Sequence, residues 1–377
     1  MSNNGFIPGL EGVVAAQTRL SSVDGQRGEL IIGGFALEEL AGKAAFEETV
    51  YLLWYGELPT AEQRVTFQKN LAASRMLPSP TLDLLHAAAK GKTSAMDVLR
   101  MAAGTLSLDS PADRKEQALV LLARLPTAVA AYWRLCQGNE PVAPHPDLGH
   151  AANYLYMLTG EEPSPARVRG LETYLNTVVD HGLNASTFTA RVIISTGSDL
   201  VSAVTGAIGA LKGPLHGGAP GPALDTVFEI GSPDRAEEVL RDKLARGERL
   251  MGFGHRVYKV YDPRAAVLAT AAREMYEADG DMALYDLARY VEKTALRLLE
   301  THKPGRHLQT NVEFYTALLL HGLDLPVELF TPTFAISRAA GWIAHCFEQI
   351  EAGRIIRPQS EYVGARGKHW NLVSVQK

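Results

Sequence analysis

The chain has little cysteine: Cys136 and Cys346 lie far apart, with no CxxC spacing, among 377 residues. This excludes a disulfide framework and a thiolate metal site, and it predicts a reducing compartment. No stretch reaches about 18 uninterrupted apolar residues, and Met1 to Glu11 has no basic patch ahead of an apolar core. The expectation is a cytoplasmic protein without a membrane span or export signal. An excess of one charge sign is also missing. The net charge of -5 and pI near 6.1 argue against bulk attraction to nucleic acid or to anionic membranes, so a polyanionic ligand has to be met by a local cluster. Strand-helix alternation is absent, which argues against Rossmann and barrel architectures, and there is no internal repeat or low-complexity segment.

What the chain does have is 46% hydrophobic and 21% charged residues, an ordinary globular balance, over a length that exceeds what one core usually serves. Two lobes are therefore expected. Apolar residues recur at three- and four-residue spacing in 37–55, 59–73, 81–90, 95–106, 200–211, 283–300, 314–321 and 334–350, which predicts helices. Ser164-Pro165 and Ser232-Pro233 each precede a further helical run, the serine suited to capping free amides and the proline to the first turn. Near the start, the apolar runs 12–16 and 29–33 flank a Gly/Asp turn at 22–28 and predict a small hairpin. The fold class is mainly α with a small N-terminal β element. Glycine- and proline-rich breaks at 217–222 and around 324–326 divide the chain into a large domain at 1–217, a small domain at 218–320 and a return to the large domain at 321–377. The first break offers hinge positions.

Three histidines stand in marked settings: His181 in Asp-His-Gly-Leu-Asn-Ala-Ser, His216 in Gly-Pro-Leu-His-Gly-Gly, and His255 in Gly252-Phe253-Gly254-His255. Glycines beside His216 and His255 let backbone approach a ligand while the imidazole is aimed at it. Asn184 and Ser186 add hydrogen-bonding groups near His181. Glu313, between Val312 and Phe314, sits where a carboxylate is partly desolvated and its proton affinity raised. Imidazoles plus a carboxylate suit proton transfer at carbon or oxygen. Amides around Gly252 to Gly254, with Arg256, Lys259 and Arg264 following, suit a ligand bearing phosphates or carboxylates. Arg338 enters an apolar helical run and has to be paired or face a cavity, and Arg357 is a further carboxylate clamp. Other patterns fail. Lys90-Gly-Lys-Thr93 has His86 where a phosphate loop needs glycine, and His145 and His150 lack the context of a metal site.

Taken in order, Asp24-Gly-Gln-Arg-Gly, His181-Gly-Leu-Asn-Ala-Ser-Thr-Phe, Gly213-Pro-Leu-His-Gly-Gly, Gly252-Phe-Gly-His-Arg-Val-Tyr-Lys, Asp262-Pro-Arg, Asn311-Val-Glu-Phe-Tyr and Gly341-Trp-Ile-Ala-His resemble the citrate synthase family across nearly the whole chain. The resemblance implies a mainly α homodimer whose domains close over acetyl-coenzyme A and oxaloacetate, with no metal and no permanently bound cofactor. It implies that Glu313 removes a methyl proton, His216 stabilises the enolate and His255 donates to the oxaloacetate carbonyl. It gives His181, Asn184, Arg264 and Arg338 to oxaloacetate, with Arg357 from the second subunit. Gly252, Phe253, Gly254, Arg256 and Lys259 go to the coenzyme A thioester. Glu313 stands where the family more often has aspartate, and Ala-Pro-Gly follows the His216 glycines where Ala-Asn-Glu is usual. Two other readings follow: a 2-methylcitrate synthase using propionyl-coenzyme A, and a weakly active regulator that binds acyl-coenzyme A.

Overall fold

The computed structural model describes residues 6–218, 221–255, 258 and 260–368. Among these, sixteen α-helices and one three-stranded antiparallel sheet form the fold, which is mainly α as expected. The helices are α1 Leu37–Leu40, α2 Phe46–Tyr55, α3 Ala61–Ala73, α4 Ser79–Lys90, α5 Ala95–Thr105, α6 Arg114–Cys136, α7 His150–Thr159 and α8 Pro165–Val178. They continue with α9 Ala185–Ser195, α10 Leu200–Leu211, α11 Gly221–Ile230, α12 Ala236–Ala245, α13 Pro263–Asp279, α14 Ala283–His302, α15 Val312–Gly322 and α16 Phe330–Ala352. Local chemistry sets many of the boundaries. Ser164 accepts from the Arg167 amide at the start of α8, Thr60 and Gln63 form a reciprocal box at α3, and Asp262 and Asn311 cap α13 and α15.

Several expectations needed correction. The first strand, β1, is Ser21–Asp24 and not the 12–16 run; it pairs with β2, Glu29–Ile32, which pairs with β3, Phe35–Ala36. Asp24 accepts from the Gln26 and Arg27 amides, both at 3.0 Å, and this side-chain turn reverses the chain directly after β1. The 37–55 run is two helices with a turn between them. Ser232 makes no side-chain cap; Pro233–Arg235 is a short 3-10 turn ahead of α12.

α16 is the centre of the molecule. Phe330, Ile336, Trp342 and Ile343 are fully buried on it, and it packs against α2, α6, α8, α9 and α10. α6, with Pro126 inside it, is long and apolar enough by composition to cross a bilayer, yet most of it is buried against α4, α5, α7 and α16. It reads as a core helix. At Gly341, α16 touches the chain leading into His181: a Cβ there would lie 2.2 Å from the Val179 carbonyl oxygen. Backbone meets backbone, so neither side can give cheaply. Gly341→Ala should lower unfolding free energy in urea by about 1–3 kcal/mol, and an unchanged midpoint would contradict this packing.

Candidate active site

Each candidate side chain is held by a helix end or a tight turn. His181 and Asn184 lie between α8 and α9, with Asn184 capping α9 through the Thr187 amide at 3.1 Å. His216 closes the turn after α10, its amide bonded to the Gly213 carbonyl at 2.9 Å. Arg264 and Glu313 occupy the first turns of α13 and α15, and Arg338 projects from the middle of α16. His181, Asn184, His216, His255, Arg264, Glu313 and Arg338 all line one cavity of about 840 Å3. Segments from five regions of the sequence thus converge on it. Val13 and Ala15, from the run expected to be a strand, form part of its apolar wall with Leu183, Phe188 and Phe334.

Two buried guanidiniums dominate the electrostatics. Arg264 donates from Nε and Nη2 to the two oxygens of Asp262, each at 2.9 Å, a bidentate pair with both partners buried. Asp262 Oδ2 also accepts from the Val312 amide at 3.0 Å, so one carboxylate ties the Arg264 guanidinium to the first turn of the helix carrying Glu313. Burial opposes charge on Asp262, but Arg264 holds its carboxyl below the usual range. Arg338 differs. Its Nε donates to the Val178 carbonyl at 2.6 Å, its guanidinium lies 4.6 Å over the Phe334 ring, and no carboxylate among the described residues comes within ion-pair distance. Burial lowers its pKa to about 10, with the buried Asp180 carboxylate opposing from beyond ion-pair distance, so it remains charged at neutral pH. An anion from outside is what such a charge lacks.

The imidazoles respond in the opposite sense. Burial first, then Arg264 and Arg338, keeps His181 well below the ordinary histidine value; burial and Arg338 bring His216 to about 4. Both are neutral at pH 7. Ser186 approaches His216 Nε2 with its backbone N–H at 3.3 Å and its hydroxyl at 2.8 Å. A backbone N–H only donates, which assigns the His216 proton to Nδ1. At His255, the Tyr258 amide lies 3.1 Å from Nδ1 and Arg264 Nη2 lies 3.1 Å from Nε2. Both are donors, and a neutral ring has one acceptor nitrogen. The two donors compete for it, and a ligand oxygen that draws the Arg264 N–H away would let Nε2 carry the ring proton while the amide keeps Nδ1. Glu313 has its carboxyl raised above the usual value, chiefly by burial, with Arg249 and Arg264 opposing.

Further residues hold this arrangement without belonging to the expected set. Trp342 Nε1 donates to the Ser186 hydroxyl at 3.1 Å. Beneath His181, Arg191 donates to His345 Nδ1 at 2.8 Å and to Glu348 at 2.9 Å, which leaves the His345 Nε2 proton for Asp180 at 3.2 Å. The Ser21 hydroxyl on β1 bonds Asp180 on one side of His181 and accepts from the Gly182 amide at 2.8 Å on the other. Asp180, Arg191 and His345 are all buried. The only signal for Asp262 was its place before Pro263, which marks a helix cap; the others carried none beyond lying in motifs.

Some expected ligand groups are occupied or lie elsewhere. Gly252 and Gly254 have φ of 86° and 78° and flank Phe253, which bridges to Thr310. The Gly254 amide donates to the Gln309 carbonyl, and both glycine carbonyls accept from Asn311, so part of this backbone holds 309–311. Phe253 is buried, 5.5 Å from the Phe314 ring centroid. Gly254 also lines a second cavity of about 190 Å3 with Arg306, His307 and Tyr261. Arg256 and Lys259 lie outside the described residues. Arg357 is exposed beyond α16 and does not line the main cavity of its own chain.

A sequence model described as citrate synthase, C-terminal domain, matches residues 9–359. The chain belongs to the citrate synthase family. It is 42% identical to the citrate synthase of Haloferax volcanii over 369 residues, covering 95% of this chain and 96% of that one. It is 40% identical to a 2-methylcitrate synthase of Mycobacterium tuberculosis over 364 residues, covering 94% and 90%. The structure of Thermoplasma acidophilum citrate synthase in ternary complex with carboxymethyl coenzyme A and oxaloacetate matches with a TM-score of 0.86 at 29% identity, covering 97% and 98%. As a member of this family the protein is a transferase that makes citrate. Within this citrate synthase framework, Asp262→Asn leaves Arg264 buried beside a neutral amide. It should lower unfolding free energy in urea by about 3 kcal/mol, whereas an unshifted transition would show that the pair does not hold α13 to α15.

Proposed function

We propose that this protein condenses acetyl-coenzyme A with oxaloacetate and hydrolyses the resulting citryl thioester to citrate and free coenzyme A. The observation that carries this reading is the convergence of a partly desolvated carboxylate, an imidazole with its proton on Nδ1, a second imidazole and two guanidiniums on one cavity. Arg338 and Arg264 bind the carboxylates of oxaloacetate, with His181 and Asn184 beside them and Arg357 entering from the second copy of a homodimer. Glu313 removes a proton from the acetyl methyl group. A thioester α-proton is very weakly acidic, so the charge developing on oxygen has to be met at once, and His216 Nδ1–H donates to it. The enolate carbon then attacks the keto carbon of oxaloacetate while His255 donates its proton to the keto oxygen. Water finally cleaves the thioester.

A second reading is supported by the 40% identity to a 2-methylcitrate synthase, since one methylene in an apolar pocket is worth only about 1–3 kcal/mol. Comparing kcat/KM for acetyl- and propionyl-coenzyme A decides between them: a preference for acetyl upholds the first, a preference for propionyl the second. Oxaloacetate-dependent release of free thiol tests both against a binding-only regulator. Glu313→Gln should reduce kcat by about 10²–10⁴-fold with oxaloacetate binding retained, and near-normal turnover would show that another group is the base.

The pH profile follows from the same carboxylate. Glu313 acts only when ionised, and burial raises its proton affinity, so kcat/KM should fall as pH drops through an apparent pKa above the ordinary value of 4.5. His216 titrates lower, at about 4, and does not set this limb. A limb centred below 4.5 would contradict the assignment.

A further inference from the structure

We propose that the hydroxyl of Tyr174 is a further binding group for the dicarboxylate, donating a hydrogen bond to the carboxylate that Arg338 receives. Tyr174 lies in the last turn of α8, is 1% exposed, and lines the main cavity. Its hydroxyl has no hydrogen-bond partner among the described residues, nor is it one of the unpartnered polar atoms sealed in the interior. The small accessible part of the side chain therefore opens on the cavity. Its neighbour Tyr154 is different, with its hydroxyl 3.0 Å from Thr333 Oγ1. A hydroxyl that reaches the cavity with no protein partner has its donor left for whatever occupies that space.

The surroundings say what kind of ligand. Burial holds the phenol protonated at any physiological pH, and the cations acting on it are Arg338 first and then Arg264. Guanidiniums only donate, and a protonated phenol offers a further N–H-like donor in its O–H. An occupant facing these groups must be rich in acceptors and negatively charged, as a carboxylate is. The same turn of α8 also fixes Arg338, because the Val178 carbonyl, four residues after Tyr174, accepts from Arg338 Nε. One helix end thus anchors the cation and supplies the hydroxyl beside it.

This proposal rests on the oxaloacetate reading above and deepens it. Tyr174→Phe removes one oxygen and keeps the ring. With both substrates varied, KM for oxaloacetate should rise about tenfold, the effect of losing one hydrogen bond to a charged group, while kcat and KM for acetyl-coenzyme A stay within about twofold. The equilibrium Kd of oxaloacetate should rise by the same factor, and the thermal midpoint should not fall, which separates lost binding from lost structure. If wild-type protein turns over but the variant keeps its KM and Kd for oxaloacetate, the proposal is wrong while the functional reading stands. A loss confined to kcat, or a loss accompanied by a fall in thermal midpoint, also overturns it. If the wild-type protein shows neither turnover nor oxaloacetate binding, the underlying reading fails and this proposal with it.

Discussion

Two guanidiniums buried against one cavity, only one of them with a carboxylate of its own, form the constraint around which the molecule is organised. Arg264 is neutralised by Asp262, and Arg338 is held by a backbone carbonyl and an aromatic face, with no carboxylate at ion-pair distance among the described residues and Asp180 acting on it only from further off. Holding them there takes much of the fold. Asp262 joins the starts of α13 and α15, α16 carries Arg338 through the centre, and Gly341 lets that helix press on the chain before His181. A buried charge left waiting destabilises the empty protein. In return, the energy of pairing appears only when an anion enters, so it serves binding and orientation.

Burial, reinforced by the same positive field, decides the state of the histidines. Because both disfavour imidazolium, His181 and His216 stay neutral where an exposed histidine would be partly charged. Neutrality makes the tautomer matter, and Ser186 settles it at His216 through a backbone N–H that can only donate. Trp342 and the Asp180–His345–Arg191–Glu348 chain hold that segment from α16. A neutral N–H donor and a carboxylate of raised proton affinity are a matched pair for a carbon acid: the ionised carboxylate takes the proton while the N–H meets the charge that develops on oxygen.

The candidate site was largely legible in the sequence because its residues sit in local patterns that cost a helix or turn something to keep. His216 among glycines and Arg338 in an apolar run both violate the ordinary rules for packing, and both face the cavity. Non-local partners were not legible. Asp262 stood only as part of the Asp262-Pro-Arg motif, and nothing there announced that its second oxygen binds Val312 fifty residues away. The amides around Gly252 to Gly254 read as suited to a ligand, but the Gly254 amide and the Gly252 and Gly254 carbonyls bond the 309–311 segment, and nothing in either stretch announces the pairing. In the fold, α6 escaped the periodicity reading because it is apolar on most faces and has Pro126 within it. The 12–16 run read as a strand because a cavity wall and a buried strand share the same apolar composition.

The most direct test of the central claim is the thermal midpoint of the empty protein titrated with oxaloacetate, with pyruvate, which has one carboxylate fewer, as the comparison. The account predicts that oxaloacetate raises the midpoint progressively with concentration, as a ligand binding only the folded state must, and that pyruvate at the same concentrations has little effect. Equal shifts with both acids, or none with either, would contradict a site built around two guanidiniums that lack one negative charge.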